Sequence, residues 1–135
     1  IVAEDYAHHP TEVASTFDAV RLVEPKRIIG VFQPHLFSRT KFFTEDFARV
    51  LSSIDRAIVT DIYPSREQPI PGVDSGIIVD AARAHGAKNV SLVKDMHTVP
   101  ELLAPDLAEG DIVLILGAGN INRMAGPLLE ALKRR

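Results

Sequence analysis

The chain has 135 residues, 46% hydrophobic and 24% charged, enough for one domain that buries its own core without staples. A net charge of -3, with no basic run before the terminal Lys133-Arg134-Arg135, argues against a nucleic-acid surface, and the absence of cysteine excludes disulfides and thiolate metal sites. No apolar run is long enough to span a bilayer and no signal peptide is visible, so a cytoplasmic location without membrane contact is expected. The chain opens at Ile1, directly on a strand pattern and without methionine, as expected of a piece of a longer polypeptide.

Taken in order, short apolar runs alternate with helical patterns. Residues 1–4 read as a first strand. His9 is placed to cap a helix whose first residue is Pro10, where the missing N–H costs nothing. Val13, Phe17 and Val20 share one face of that helix, and Pro25 stops it. A second strand covers 28–32, apolar throughout as when both faces are covered. Phe43, Phe47, Val50 and Leu51 mark the next helix, and 57–62 a third strand. A long loop with three prolines, residues 63–74, ends at Asp74, expected to cap a helix through Ile77, Ile78 and Ala81; Gly86 ends it. A fourth strand covers 89–93. A short helix over 99–103 is disturbed by Pro105. The fifth strand, 112–116, is the most hydrophobic segment. The last helix reaches about Lys133, its tail cations suiting a helix end, and Pro127 predicts a late start or a kink. Such alternation implies an α/β, Rossmann-like, mostly parallel open sheet of five to six strands with helices on both faces, as a single domain over 1–135.

The chemistry concentrates at strand ends, where open α/β sheets bind ligands. Glu4-Asp5-Tyr6-Ala7-His8-His9-Pro10-Thr11-Glu12 crowds acids, a tyrosine and two histidines into one strand-to-helix turn, and Gln33-Pro34-His35-Leu36-Phe37-Ser38-Arg39-Thr40 follows the next strand. Adjacent histidines point apart, so a metal held by His8 and His9 is not expected. His9 is assigned to the cap, leaving His8 for the cleft. Asp5 is placed to accept from a hydroxyl or pair with a cation. Arg39 can fork onto a carboxylate or phosphate; as a cation in the first turn of a helix it calls for a nearby anion, a glutamate or a ligand. Gly117-Ala118-Gly119 lacks the third glycine of G-x-G-x-x-G, since Asn122 stands there, and reads as a tight turn for close backbone approach. No G-x-x-x-x-G-K-[ST] occurs, so the chain has no P-loop. His85 and His97 read as surface residues, and Ser15, Ser38 and Ser65 lack a nucleophile's context.

Four sets of residues in order resemble the carboxyl-terminal domain of the Mur ligases: Asp5 to Glu12; Phe32-Gln33-Pro34-His35 with Ser38-Arg39-Thr40; Asp61-Ile62-Tyr63-Pro64 with Glu67; and Gly117-Ala118-Gly119. The alanine-adding branch fits best, through the two histidines before Pro10 and the Gln33-Pro34-His35 loop. The resemblance implies the third domain of a three-domain ligase. That enzyme would use ATP and Mg2+, held mainly by the central domain, to join L-alanine to UDP-N-acetylmuramate through an acyl phosphate. It further implies that Tyr6, His8, His35 and Arg39 line the alanine pocket, with Arg39 on its carboxylate, and that Asp5 lies near the nucleotide. No catalytic residue is expected within this chain alone. Glu4 stands where aspartate is common, and Leu36 where many relatives have a second arginine. Two alternatives remain: the ligase that recycles a murein tripeptide, and a free-standing α/β ligand-binding module.

Overall fold

A computed structural model describes residues 1–135. Five strands, β1 (Val2–Asp5), β2 (Arg27–Phe32), β3 (Arg56–Val59), β4 (Val90–Leu92) and β5 (Asp111–Leu116), form one sheet in the order β1-β5-β2-β3-β4, every pair parallel. The expected parallel architecture is present with five strands.

Alternation along each strand divides the core in two. Ile28, Phe32, Ile112, Leu114 and Leu116 face helices α1 (Pro10–Arg21), α3 (Thr44–Leu51) and α4 (Gly76–Ala84), where Val13, Phe17, Phe47, Leu51 and Ile78 are buried. Ile29, Val31, Val113 and Ile115 face α5 (Val99–Leu103) and α6 (Ala125–Lys133), through Val99, Leu103 and Leu128. Both faces are covered, which is why β2 and β5 read as continuous apolar runs.

This winding positions the site. The chain leaves β1 and β2 for the α1 face but leaves β5 for the α6 face. Connections that part to opposite faces open a crevice at the carboxyl ends of the strands. The crevice flanks β5, so the turns after β1, β2 and β5 converge there.

Several local expectations hold with reasons. His9 caps α1: its Nδ1 accepts from the Thr11 amide at 3.2 Å, and Glu12 Oε1 accepts from the His9 amide at 3.0 Å, completing a capping box with histidine as the cap. Gly86, at φ +89°, closes α4 as the left-handed residue of a Schellman motif, with Gly86 N–H donating to Arg83 O and Ala87 N–H to Ala82 O. Pro127 falls in the first turn of α6, which starts two residues before it, so its missing N–H costs nothing.

Others are corrected. α1 ends at Arg21, before Pro25. The helical pattern after β2 is two helices, α2 (Phe37–Phe42) and α3, broken at Phe43. β3 stops at Val59: Thr60 and Asp61 still donate to Phe32 O and Lys94 O, but the chain then diverges into the proline-rich loop. Asp74 does not cap α4. The N-cap is Ser75, and no side chain caps the helix, because the Ser75 hydroxyl donates to Thr60 O instead.

Candidate functional site

The first wall of the crevice is the β1–α1 turn. Asp5 Oδ1 accepts from the Ala7 amide at 2.8 Å and Oδ2 from the Thr16 hydroxyl at 3.0 Å. In this chain the carboxylate therefore fastens the strand end to α1. Tyr6 is 72% exposed, its ring edge-on to His8 with centroids 6.0 Å apart. His8 Nδ1 lies 3.0 Å from Tyr6 O. A carbonyl only accepts, so Nδ1 carries a proton and donates to it, leaving Nε2 without a partner on Tyr6. His9 adopts the opposite tautomer, since its Nδ1 accepts from Thr11.

The second wall is the β2–α2 turn. Leu36 has φ +72° and ψ 138°, a conformation costly for a branched side chain. The Thr40 amide and hydroxyl both donate to its carbonyl, at 3.2 and 2.8 Å. Tyr63 N–H donates to Pro34 O and Leu36 N–H to Tyr63 O, so the turns after β2 and β3 re-pair beyond the sheet at His35 and Tyr63. The His35 and Tyr63 rings stack at 5.6 Å, and the His8 ring lies 5.8 Å from His35 on another side. His8, His35 and Arg39, separated in sequence, are thus brought to one place.

Two nitrogens there stand out: His35 Nδ1 and Arg39 Nη1 are buried without a protein partner. Leaving a buried donor or acceptor unpaired costs roughly 1–3 kcal/mol, and more for a charged group. Burial holds the His35 pKa below its ordinary 6.5, the neighbouring Arg39 and His8 add to the shift, and Glu67 opposes it. His35 is therefore neutral near pH 7.

Glu67, on the loop after β3, accepts from the Ser38 amide at 2.9 Å and from the Ser38 hydroxyl. These two bonds hold its carboxyl below the usual 4.5, and the charge of Arg39 contributes. Glu67 is thus an anion near Arg39, although in the six-residue α2 Arg39 falls in the last turn, where the helix does not disfavour a cation. Sequence reading missed this role, since Glu67 and Ser38 are 29 residues apart; the signals were the unmatched charge on Arg39 and the place of Glu67 in the family resemblance.

The floor is the loop after β5. Gln33 is buried; its Nε2 donates to Asn120 Oδ1 at 2.7 Å, and its Oε1 accepts from the Ile121 amide at 3.2 Å. Gly117 has φ +154°, and a β-carbon on it would lie 2.9 Å from Ile121 Cγ2 and 3.1 Å from Gln33 O. On Gly119 a β-carbon would lie 2.5 Å from Tyr63 Cγ and 2.6 Å from Gln33 Oε1. The glycines allow the close approach their pattern suggested. A cavity of about 420 Å³ opens beyond Tyr63, lined by Thr60, Lys94, His97 and Asn120 among others. The 570 Å³ groove between α3 and α4 lies at the opposite end, beside His85 and Asn89, and contains no unpartnered buried nitrogen.

No three His, Asp or Glu side chains converge at a spacing that could hold a metal ion. No helix is long and apolar enough to cross a membrane.

A doubly wound parallel sheet whose strand-end turns bring His8, His35 and Tyr63 together belongs to the α/β class that binds ligands at the carboxyl ends of its strands. The family model for the Mur ligase glutamate ligase domain matches residues 1–119, and the chain belongs to that family. It is 47% identical over 133 residues to the UDP-N-acetylmuramate--L-alanine ligase of Cutibacterium acnes, covering 97% of this chain and 28% of that relative. The chain thus spans a little over a quarter of that relative's length. Among solved structures, a domain from a Haemophilus ducreyi 35000HP protein superposes with TM-score 0.69 at 24% identity, covering 97% of this chain and 91% of that one. The MurF ligase of Thermotoga maritima in complex with ADP superposes with TM-score 0.65 at 20% identity, covering 96% and 28%.

Proposed function

We propose that this chain is the carboxyl-terminal domain of a cytoplasmic, ATP-dependent ligase that joins L-alanine to UDP-N-acetylmuramate in peptidoglycan precursor synthesis. The observation that carries the reading is the pair of buried, unpartnered nitrogens on Arg39 and His35 beside His8. A guanidinium without a carboxylate partner in the chain suits the α-carboxylate of an amino acid, and a bidentate fork fixes its orientation as well as its charge. His8, turned by its Nδ1 bond to Tyr6 O, suits the neighbourhood of the α-amine. Tyr6 and the neutral His35 bound the space between. Asp5 orders the turn that faces the nucleotide.

This chain supplies binding and closure. Its sequence contains no P-loop, so ATP and Mg2+ belong mainly to the central domain of the full-length enzyme, over which this domain closes. A murein-tripeptide ligase is disfavoured by the Gln33-Pro34-His35 to Arg39 loop and by the 47% identity to an alanine ligase.

The test is phosphate release by the full-length parent with UDP-N-acetylmuramate, ATP and, in turn, L-alanine, glycine and L-serine. Turnover dependent on the amino acid, best with L-alanine, is expected. Turnover with a murein tripeptide but not with L-alanine would overturn the reading.

A further inference from the structure

Arg39 carries an unspent charge next to a carboxylate that does not pair with it. It takes part in none of the ion pairs of the chain, and its Nη1 is buried and unpartnered. Yet Glu67 is bonded to Ser38, the residue next to Arg39 in the chain. A carboxylate beside a half-buried guanidinium ordinarily forms the fork itself. Here each oxygen accepts from Ser38, Oε1 from its amide and Oε2 from its hydroxyl, and the two bonds fix the direction in which the carboxylate faces. Ser38 precedes Arg39 on α2, so the residue that holds the glutamate is covalently next to the one it leaves free.

We propose that Ser38 is a positioning residue: by holding the Glu67 carboxylate in a fixed orientation through two bonds it keeps that carboxylate from forking onto Arg39, so that the guanidinium pairs instead with the carboxylate of the incoming amino acid. This rests on the function proposed above. Glu67 still offsets the charge of Arg39, so the arrangement keeps the compensating charge while withholding the competing fork. Removing the Ser38 hydroxyl frees Oε2 to turn toward Arg39 and compete with substrate. The competition is intramolecular and reversible, so it raises KM for the amino acid and leaves kcat at saturation unchanged.

The experiment uses the full-length parent and reads KM and kcat for L-alanine and for ATP. Ser38→Ala raises KM for L-alanine by roughly three- to tenfold, the scale on which a partly buried ion pair competes, with kcat and KM for ATP unchanged. Ser38→Thr, which retains the hydroxyl, stays near the parent. Adding Glu67→Gln to Ser38→Ala restores KM, because an amide carries no charge to compete; a merely structural loss would not be rescued in this way. Ser38 is exposed, so these changes spare the core. An unchanged KM in Ser38→Ala, or a double variant as impaired as the single one, overturns this inference when Arg39→Ala itself raises KM. An Arg39→Ala enzyme with the parent's KM overturns the function proposed above as well.

Discussion

Gly119→Ala tests whether the floor of the crevice is built by close packing. The added β-carbon would stand 2.5 Å from Tyr63 Cγ, 2.8 Å from Tyr63 Cδ2 and 2.6 Å from Gln33 Oε1. Cγ is the first ring atom, so spinning the ring about its own axis relieves nothing; the whole Tyr63 side chain has to swing. That swing breaks the 5.6 Å stack on His35, and a shifted Gln33 loses its bonds to Asn120 and to the Ile121 amide. Overpacking of this kind costs roughly 1–3 kcal/mol, and a loss of about 2 kcal/mol in a domain of this size lowers Tm by roughly 5–10 °C. Thermal unfolding of this chain, followed by circular dichroism, measures it. Tyr63→Ala removes the clash with the ring but not that with Gln33 Oε1, so the two changes together cost less than their sum, a coupling of roughly 0.5–3 kcal/mol in a double-mutant cycle. A Gly119→Ala chain melting within about 1 °C of the parent, or strict additivity with Tyr63→Ala, would refute the reasoning.

Three further outcomes follow from the same geometry. At the other end of the sheet, Arg27 forks onto the buried Asp111, Nε to Oδ1 at 3.1 Å and Nη2 to Oδ2 at 2.6 Å, between register partners of β2 and β5. Asp111→Asn should cost roughly 2–4 kcal/mol in urea unfolding. The Arg27 bonds hold the Asp111 carboxyl below its ordinary 3.8, so its stabilisation is present above that pH and lost as pH falls through the lowered value; the variant should lose this acid limb. His35 has the reverse chemistry: its lowered pKa means that the unfolded chain takes up the proton first, so stability falls as pH drops below about 6.5. Nuclear magnetic resonance titration should place His35 below that value, and Arg39→Ala should move it upward; no movement would separate the two side chains. Finally, this chain alone should hydrolyse no ATP, because nothing in its sequence cradles the β- and γ-phosphates; phosphate release that is abolished by its own point variants would contradict this.

What the sequence disclosed follows from what is local. The strands of the sheet, the Pro10 start of α1 with its His9 cap, and the Gly86 stop are set by neighbours a few residues apart, and they were legible. The strand-end turns were legible as a region because apolar runs abut polar ones. Contacts between turns were not. The stack of His35 on Tyr63, the bond of Glu67 to Ser38 and the tie of Gln33 to Asn120 span 28 to 87 residues, and no periodicity encodes them. Asp74 shows the opposite error: a good capping residue in the right place lost the cap to Ser75, whose hydroxyl a buried carbonyl had already claimed. The break at Phe43 was hidden because α2 and α3 share one apolar pattern across it.

The central claim is that Arg39 holds the carboxylate of the amino acid. Steady-state kinetics of Arg39→Ala in the full-length parent test it most directly, with L-alanine and ATP varied separately. The account predicts a loss in kcat/KM for L-alanine of roughly 2–4 kcal/mol, about 30- to 1,000-fold, seen mainly as a raised KM. KM for ATP should stay near that of the parent, and Arg39→Lys should recover only part, since an ammonium keeps the charge but not the fork. Equal losses for L-alanine and ATP, or none for either, would contradict the account and make Arg39 a surface or domain-contact residue.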